Sequence, residues 1–227
     1  SSENRVLWFT DTIDDLNGGA VNLQNYMRTV HQRDMNVKFV VCRNENAGTM
    51  PLPNTINLPR IFSYTPDFYN TYTLNIPSLL KSVDMIYKYA PEEIIISTPG
   101  PVGIIGLLMA KLTGVKCTGI FHTDFSYQAE MILEDEGIAS FVQTYLYWFY
   151  SFTDEIKVPT AEYIHILDER GFDRSRMGVI KRGFDVKVPK LSRKERRSFL
   201  GELGIREGIT LLFAGRVSRD KNIDFLT

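Results

Sequence analysis

Residues 92–125, EEIIISTPGPVGIIGLLMAKLTGVKCTGIFHTDF, decide the fold. Ile94, Ile95 and Ile96 form a β-branched apolar run, as expected of a strand buried on both faces. Thr98-Pro99-Gly100-Pro101 then turns the chain, and Pro101 suits the first position of a helix, where its missing N–H costs nothing. Val102 to Leu112 is apolar nearly all round, so this helix is expected to be buried. Gly114 stands where helices commonly end in a left-handed residue. Val115 to Phe121 reads as a second strand, delivering His122-Thr123-Asp124 to its carboxyl end. Strand, helix and strand in that order make a parallel unit, and open α/β sheets bind ligands outside the carboxyl ends of their strands. The loops carrying Thr98 and His122 both point at that expected cleft.

Working outward, Val6–Phe9 reads as a strand, TDTIDDLNGG as a loop, and Ala20–Arg33 as a helix with Ala20, Leu23, Met27 and Val30 on one face. Val37–Cys42 is the next strand. Arg43 to Thr73 holds four prolines and the rings Phe62, Tyr64, Phe68, Tyr69 and Tyr72, and is expected to be irregular. Leu79 to Ala90 is a helix that Pro91 stops. Downstream lie a ring-rich helix FVQTYLYWFYSF (141–152), a strand Glu155–Val158, and a helix from an N-cap at Thr160 to Gly171. Met177–Lys181 is a strand leading into Arg182-Gly183-Phe184-Asp185. Ser192-Arg193-Lys194-Glu195 has the form of a capping box and opens a charged helix that closes near Gly204. Ile209–Ala214 is a last strand, followed by GRVSRDKN.

This alternation predicts an α/β fold: a Rossmann-like parallel sheet within residues 5–181 with helices on both faces. One domain is expected over residues 1–187, and a linker with a helix over 188–208. Residues 209–227 read as the truncated start of a second α/β domain, because one strand and a few helical turns cannot bury their own apolar faces.

With 44% hydrophobic and 23% charged residues, the composition is that of a soluble globular protein. A formal net charge of −1 gives no support to a nucleic-acid partner. Cys42 and Cys117 both fall in expected strands and read as buried thiols of a reducing compartment. No apolar run reaches the roughly 18–20 residues needed to cross a bilayer, and SSENRVLWF lacks the layout of a signal peptide. These features read as a cytoplasmic protein.

Several residues could carry chemistry. Gly18-Gly19 lies where the first loop meets the first helix, a place where a backbone can approach a phosphate; a plain turn is the other reading. The loop is not GxGxxG, so a nicotinamide or flavin fingerprint is missing. His122 ends a strand beside Thr123 and Asp124, and is either functional or a loop histidine held by a backbone hydrogen bond. His31 and His165 fall on expected helices as solvated residues. No second His or Cys stands at zinc spacing, and no metal is expected. Asp11, Asp14 and Asp15 either hold a hard cation or form an acidic surface loop. Arg216 and Lys221 follow a strand five residues apart, as a diphosphate grip would require or as a charged loop. The ring-rich helix either packs in the core or meets a lipid or a membrane surface.

Taken in order, TDTIDDLNGGAV, STPGPVG, HTDF, VPT with a helix to RGF, RGFD and LLFAGRVSRDKN resemble the retaining glycosyltransferases of family four. The resemblance runs from Arg5 to the last residue and is closest to the glycolipid-forming and mannosyl-type branch. It implies a GT-B fold of two Rossmann-like domains without a catalytic metal or cofactor. It further implies a hexosyl-type transfer from a nucleotide-diphosphate sugar to a lipid, glycan or small-molecule acceptor, with retention of configuration. The first domain would take the acceptor, the second most of the donor, and the protein could touch the inner face of a membrane. By position, His122 matches the family histidine near the reacting sugar carbon, Gly18 and Gly19 would face the donor diphosphate, and Arg216 and Lys221 match the diphosphate clamp. Thr98, Thr123, Asp124 and Asp185 would line the cleft or the acceptor site. The family's paired glutamates have no counterpart before Thr227, so this chain is expected to be the acceptor-side part and inactive by itself. Two other functions stay open: a nucleotide-sugar 2-epimerase of the same architecture, or a non-catalytic module binding glycan or protein through residues 62–72.

Overall fold

A computed structural model describes residues 4–13, 18–44, 53–65, 73–122, 125, 135–180, 191–205 and 213. The chain divides into two compact units, Ser1–Ile180 and Lys181–Thr227.

The first unit is built on a seven-stranded sheet in the order β3-β2-β1-β6-β7-β8-β9. Its strands are β1 (Val6–Phe9), β2 (Val37–Val41), β3 (Thr55–Asn57), β6 (Glu93–Ile96), β7 (Lys116–Ile120), β8 (Glu155–Val158) and β9 (Met177–Val179). Every neighbouring pair runs parallel. The helices are α1 (Gly18–Gln32), α2 (Leu79–Tyr89), α3 (Pro101–Thr113), α4 (Glu136–Ser151) and α5 (Ala161–Glu169).

Alternation along β1 shows how two faces are covered. Trp8 turns to one side, where Phe39, Val41 and the α1 residues Leu23, Met27 and Val30 form a cluster. Leu7 and Phe9 turn to the other, against Ile94, Ile96 and the α3 residues Val102, Ile105 and Met109. The chain steps outward from β1 to β3, returns to lay β6 beside β1, and then steps outward again to β9. The order therefore reverses between β1 and β6, and the crevice outside the carboxyl ends of two such strands is the place where open sheets of this kind take ligands.

Two segments differ from the sequence reading. Within the stretch expected to be irregular, β3 joins the sheet edge, and β4 (Arg60–Tyr64) pairs antiparallel with β5 (Leu74–Pro77), which follows that stretch. This hairpin leaves Ile61, Phe62 and Tyr64 exposed. It is fastened partly by polar side chains, Arg60 to Ser63 and Ser63 to Asn75, so no apolar alternation marked it. Helix α4 starts five residues ahead of the ring run, because Asp135 accepts from Gly137 N and Ile138 N and caps it. The rings of α4 divide between core and solvent: Phe149 and Tyr150 are buried, while Phe141, Tyr147 and Trp148 are exposed. Thr160 does stand at the N-cap of α5, but its side chain makes no capping bond. No described helix is long and apolar enough to cross a membrane.

In the second unit, Ser192 and Glu195 complete the capping box at the start of α6 (Arg193–Glu202). The expected strand Ile209–Ala214 lies outside the described residues, apart from Phe213.

Candidate functional site

The carboxyl edge is assembled from the turns that follow β1, β6 and β7. Just past β1 lies Thr10, fully buried, whose N–H donates to Val40 O (3.0 Å). Just past β6 lies Ser97, which donates to Phe9 O from both its backbone N (3.0 Å) and its Oγ (3.2 Å). Beyond these, a single hydroxyl joins the two turns. Thr98 Oγ1 accepts from Asp11 N (2.7 Å) and donates to Asp11 Oδ2 (2.7 Å).

Asp11 has a second task. Helix α3 starts from Gly100 with no side-chain cap of its own. Its first free N–H groups are taken by Asp11 instead: Val102 N donates to Oδ1 (2.8 Å) and Gly103 N to Oδ2 (3.3 Å). The fit is close. A Cβ at Gly100 would come within 2.5 Å of the Asp11 carboxyl carbon, and one at Gly103 within 1.9 Å of the Thr98 carbonyl oxygen. Desolvation pushes the Asp11 pKa up to about 6, outweighing the opposite pull of the bonds from Thr98, Val102 and Gly103. Neither reading of the acidic loop holds for Asp11, which is neither a bare surface acid nor poised for a cation. Asp14 and Asp15 lie outside the described residues.

Gly18 and Gly19 open α1 after β1. The chain before them is tied to that helix by Gln24 Nε2, which donates to Ile13 O (2.8 Å). His122 follows β7 and is half-buried. The ground beneath it is firm. Phe121 N donates to Lys157 O (2.8 Å), Tyr150 Oη donates to Ile120 O (3.0 Å), and the buried Phe121 ring packs against Tyr150, Tyr163 and Phe172. From α4, Tyr145 Oη donates to Pro99 O and holds the Thr98 turn from its other side.

Gly18, Gly19, Thr98 and His122 thus follow three strands that are neighbours in the sheet, and they share its carboxyl edge. Thr98 is buried and its hydroxyl is engaged with Asp11, so it shapes the edge from beneath. Thr123, Asp124, Asp185, Arg216 and Lys221 lie outside the described residues. His31 sits in the last turn of α1, and His165 of α5 is 3.4 Å from Arg174 Nη1 on an exposed face. The sequence held a signal that α3 needs an outside cap, though not which residue supplies it. Gly-Pro starts a buried helix with no Ser, Thr or Asp at its cap, so the cap has to come from elsewhere in the chain.

A family model described as Glycosyltransferase Family 4 matches residues 16–188. The chain belongs to glycosyltransferase family 4. Among solved structures, the family 4 chain is similar to sucrose-phosphate synthase from Thermosynechococcus elongatus, with a TM-score of 0.65 at 15% identity. That match covers 97% of this chain and 58% of the other. It is also similar to Anabaena HepE in complex with UDP-glucose, with a TM-score of 0.58 at 14% identity, covering 88% of this chain and 50% of that one. The chain therefore spans about half the length of these structures, and at such identities the likeness shows the fold. No curated protein sequence matches it significantly.

Proposed function

We propose that this chain is the acceptor-side part of a retaining glycosyltransferase that moves a hexose-type sugar from a nucleotide-diphosphate donor to an acceptor. The observation that carries the reading is the gathering of Gly18-Gly19, Thr98 and His122 around the point where the strand order of a family 4 sheet reverses. In this reading His122 lies near the reacting sugar carbon, where a polar group aimed at developing positive charge lowers the barrier. The N-terminus of α1, opened by two glycines, offers N–H groups to the donor diphosphate. Arg216 and Lys221 offset the leaving-group charge from the donor side, and Asp124 and Asp185 line the cleft. HepE was solved with UDP-glucose, so a uridine-diphosphate sugar is the first donor to test. The exposed rings of α4 and the hairpin leave a lipid or glycan acceptor open, as well as peripheral contact with a membrane.

The test is titration calorimetry and a transfer assay. A protein that joins this chain to its donor-side domain should bind a nucleotide-diphosphate sugar near the micromolar range and transfer it with retention. The 227-residue chain should do neither. One helix N-terminus contributes about 0.3–1 kcal/mol toward an anion, far from the roughly 8 kcal/mol of a micromolar complex. Tight donor binding by the isolated chain, or no donor binding by the joined protein, would overturn the reading.

A further inference from the structure

We propose that Asp11 is a positioning residue for the donor, fixing the turn that leads to Gly18-Gly19 by locking it to the mouth of α3. This inference rests on the transferase reading for its ligand, but its geometry stands independently. Asp11 is one residue past Thr10, and among the described residues its backbone and side chain together make four hydrogen bonds to the Thr98–Gly103 segment. That segment is immobilised from three directions. Ser97 is bonded to β1, Tyr145 of α4 holds Pro99, and Gly103 lies so close to the Thr98 carbonyl that no Cβ fits between them. Two residues after Asp11, Ile13 is buried in the α1 cluster and its carbonyl accepts from Gln24. The turn after β1 is thus pinned to α3 at one end and to α1 at the other. Through the Ile13–Gln24 bond a shift of the Asp11 carboxylate would be passed to α1, and a phosphate held by backbone N–H groups tolerates little such movement.

The α3 mouth also explains why the lock uses a carboxylate. Two N–H groups and a hydroxyl converge there, and an acceptor with two oxygens satisfies all three donors. An amide in its place would turn an N–H₂ toward one of those donors. Cys42, just past β2, and Tyr145 both feel the Asp11 charge. Burial pushes their pKa values up to about 11 and about 12, so both stay neutral while Asp11 is ionised.

Asp11→Asn and Gly100→Ala disturb this lock from opposite sides, one by changing the acceptor and the other by crowding the carboxylate. In the enzyme with both domains, each should raise the donor KM about tenfold or more with a much smaller change in kcat. The double variant should be no worse than the poorer single one, because both act through the same contact. In the 227-residue chain, each should speed hydrogen exchange at the Val102 and Gly103 amides. A donor KM that stays at the wild-type value in both variants overturns the proposal. So does a lowered KM in Asp11→Asn alone, which would mean that the charge merely repels the diphosphate. Should the wild type bind no nucleotide sugar, the transferase reading fails instead, and unchanged amide exchange in both variants would still overturn the lock.

Discussion

At its carboxyl edge the sheet buries polar residues, whereas at its amino edge it meets water through ion pairs. Thr10, Arg43, Ser97 and Thr98 all lie just past the ends of β1, β2 and β6 and are at most 8% exposed. Across the sheet, Arg5–Glu92 (3.9 Å) and Lys116–Glu155 (2.9 Å) join side chains that are a third or more exposed. Exposed pairs of this kind contribute little, whereas a buried polar group must find partners or it destabilises the fold. The carboxyl edge therefore carries polar chemistry that the fold supports with fixed donors and acceptors, and the amino edge is a solvated rim.

The contrast can be broken at several points. On the proposed transferase reading, the largest effect should come from His122→Ala in a protein that joins this chain to a donor-side domain, lowering kcat by about 100–1000-fold while leaving the fold intact, since a half-buried residue at a strand end fills little core. A well-folded variant with near wild-type turnover would reduce His122 to a loop residue. Next comes Gly103→Ala. Its methyl would meet a backbone carbonyl, and urea unfolding should show a loss of roughly 2–3 kcal/mol as α3 is pushed off the Thr98 turn.

The third effect depends on pH. The folded state holds the Asp11 proton with a pKa of about 6, above the ordinary value of 3.8. Its contribution is therefore fully present below about pH 4 and is lost as pH rises through 6. The stability difference between wild type and Asp11→Asn should move toward wild type by about 2 kcal/mol between pH 7 and pH 4. Thermal unfolding of both proteins across that range checks the sign, and a pH-independent difference would show that the carboxyl group is not desolvated. At the amino edge the numbers shrink. Gly114 ends α3 with φ 69° and open space around it, so Gly114→Ala should cost roughly 1 kcal/mol from backbone strain alone. Lys116→Ala, which removes one exposed ion pair, should change stability by less than about 0.5 kcal/mol. If Lys116→Ala matched Gly103→Ala in cost, the proposed difference between the edges would be gone.

The sheet was readable because apolar runs such as Ile94–Ile96 and the alternating Leu7-Trp8-Phe9 leave few alternatives once Gly, Pro and N-cap residues mark the breaks. The loop positions Gly18, Thr98 and His122 followed from those strands, since a residue just past a parallel strand belongs to its carboxyl edge. The hairpin of β4 and β5 was hidden because its residues pair with each other and leave large rings in solvent, so no periodicity separates inside from outside. Asp11 was hidden for another reason. Its partners Thr98, Val102 and Gly103 are about ninety residues away in the chain, and the bond geometry that defines its task is invisible from its own neighbours.

That distance along the chain also has a kinetic side. The pairing of β1 with β6 and the bonds of Asp11 to α3 close a loop of 87 residues or more, whereas the unit β6-α3-β7 is contiguous. Closing a long loop costs more chain entropy, so the local unit is expected to form early and β1 to dock on it late. Contacts that form after the rate-limiting step influence unfolding rather than folding. Weakening the Asp11 lock should then hasten unfolding and leave refolding almost unchanged, so the junction of β1 with α3 would be the last part of the carboxyl edge to assemble and the first to come apart.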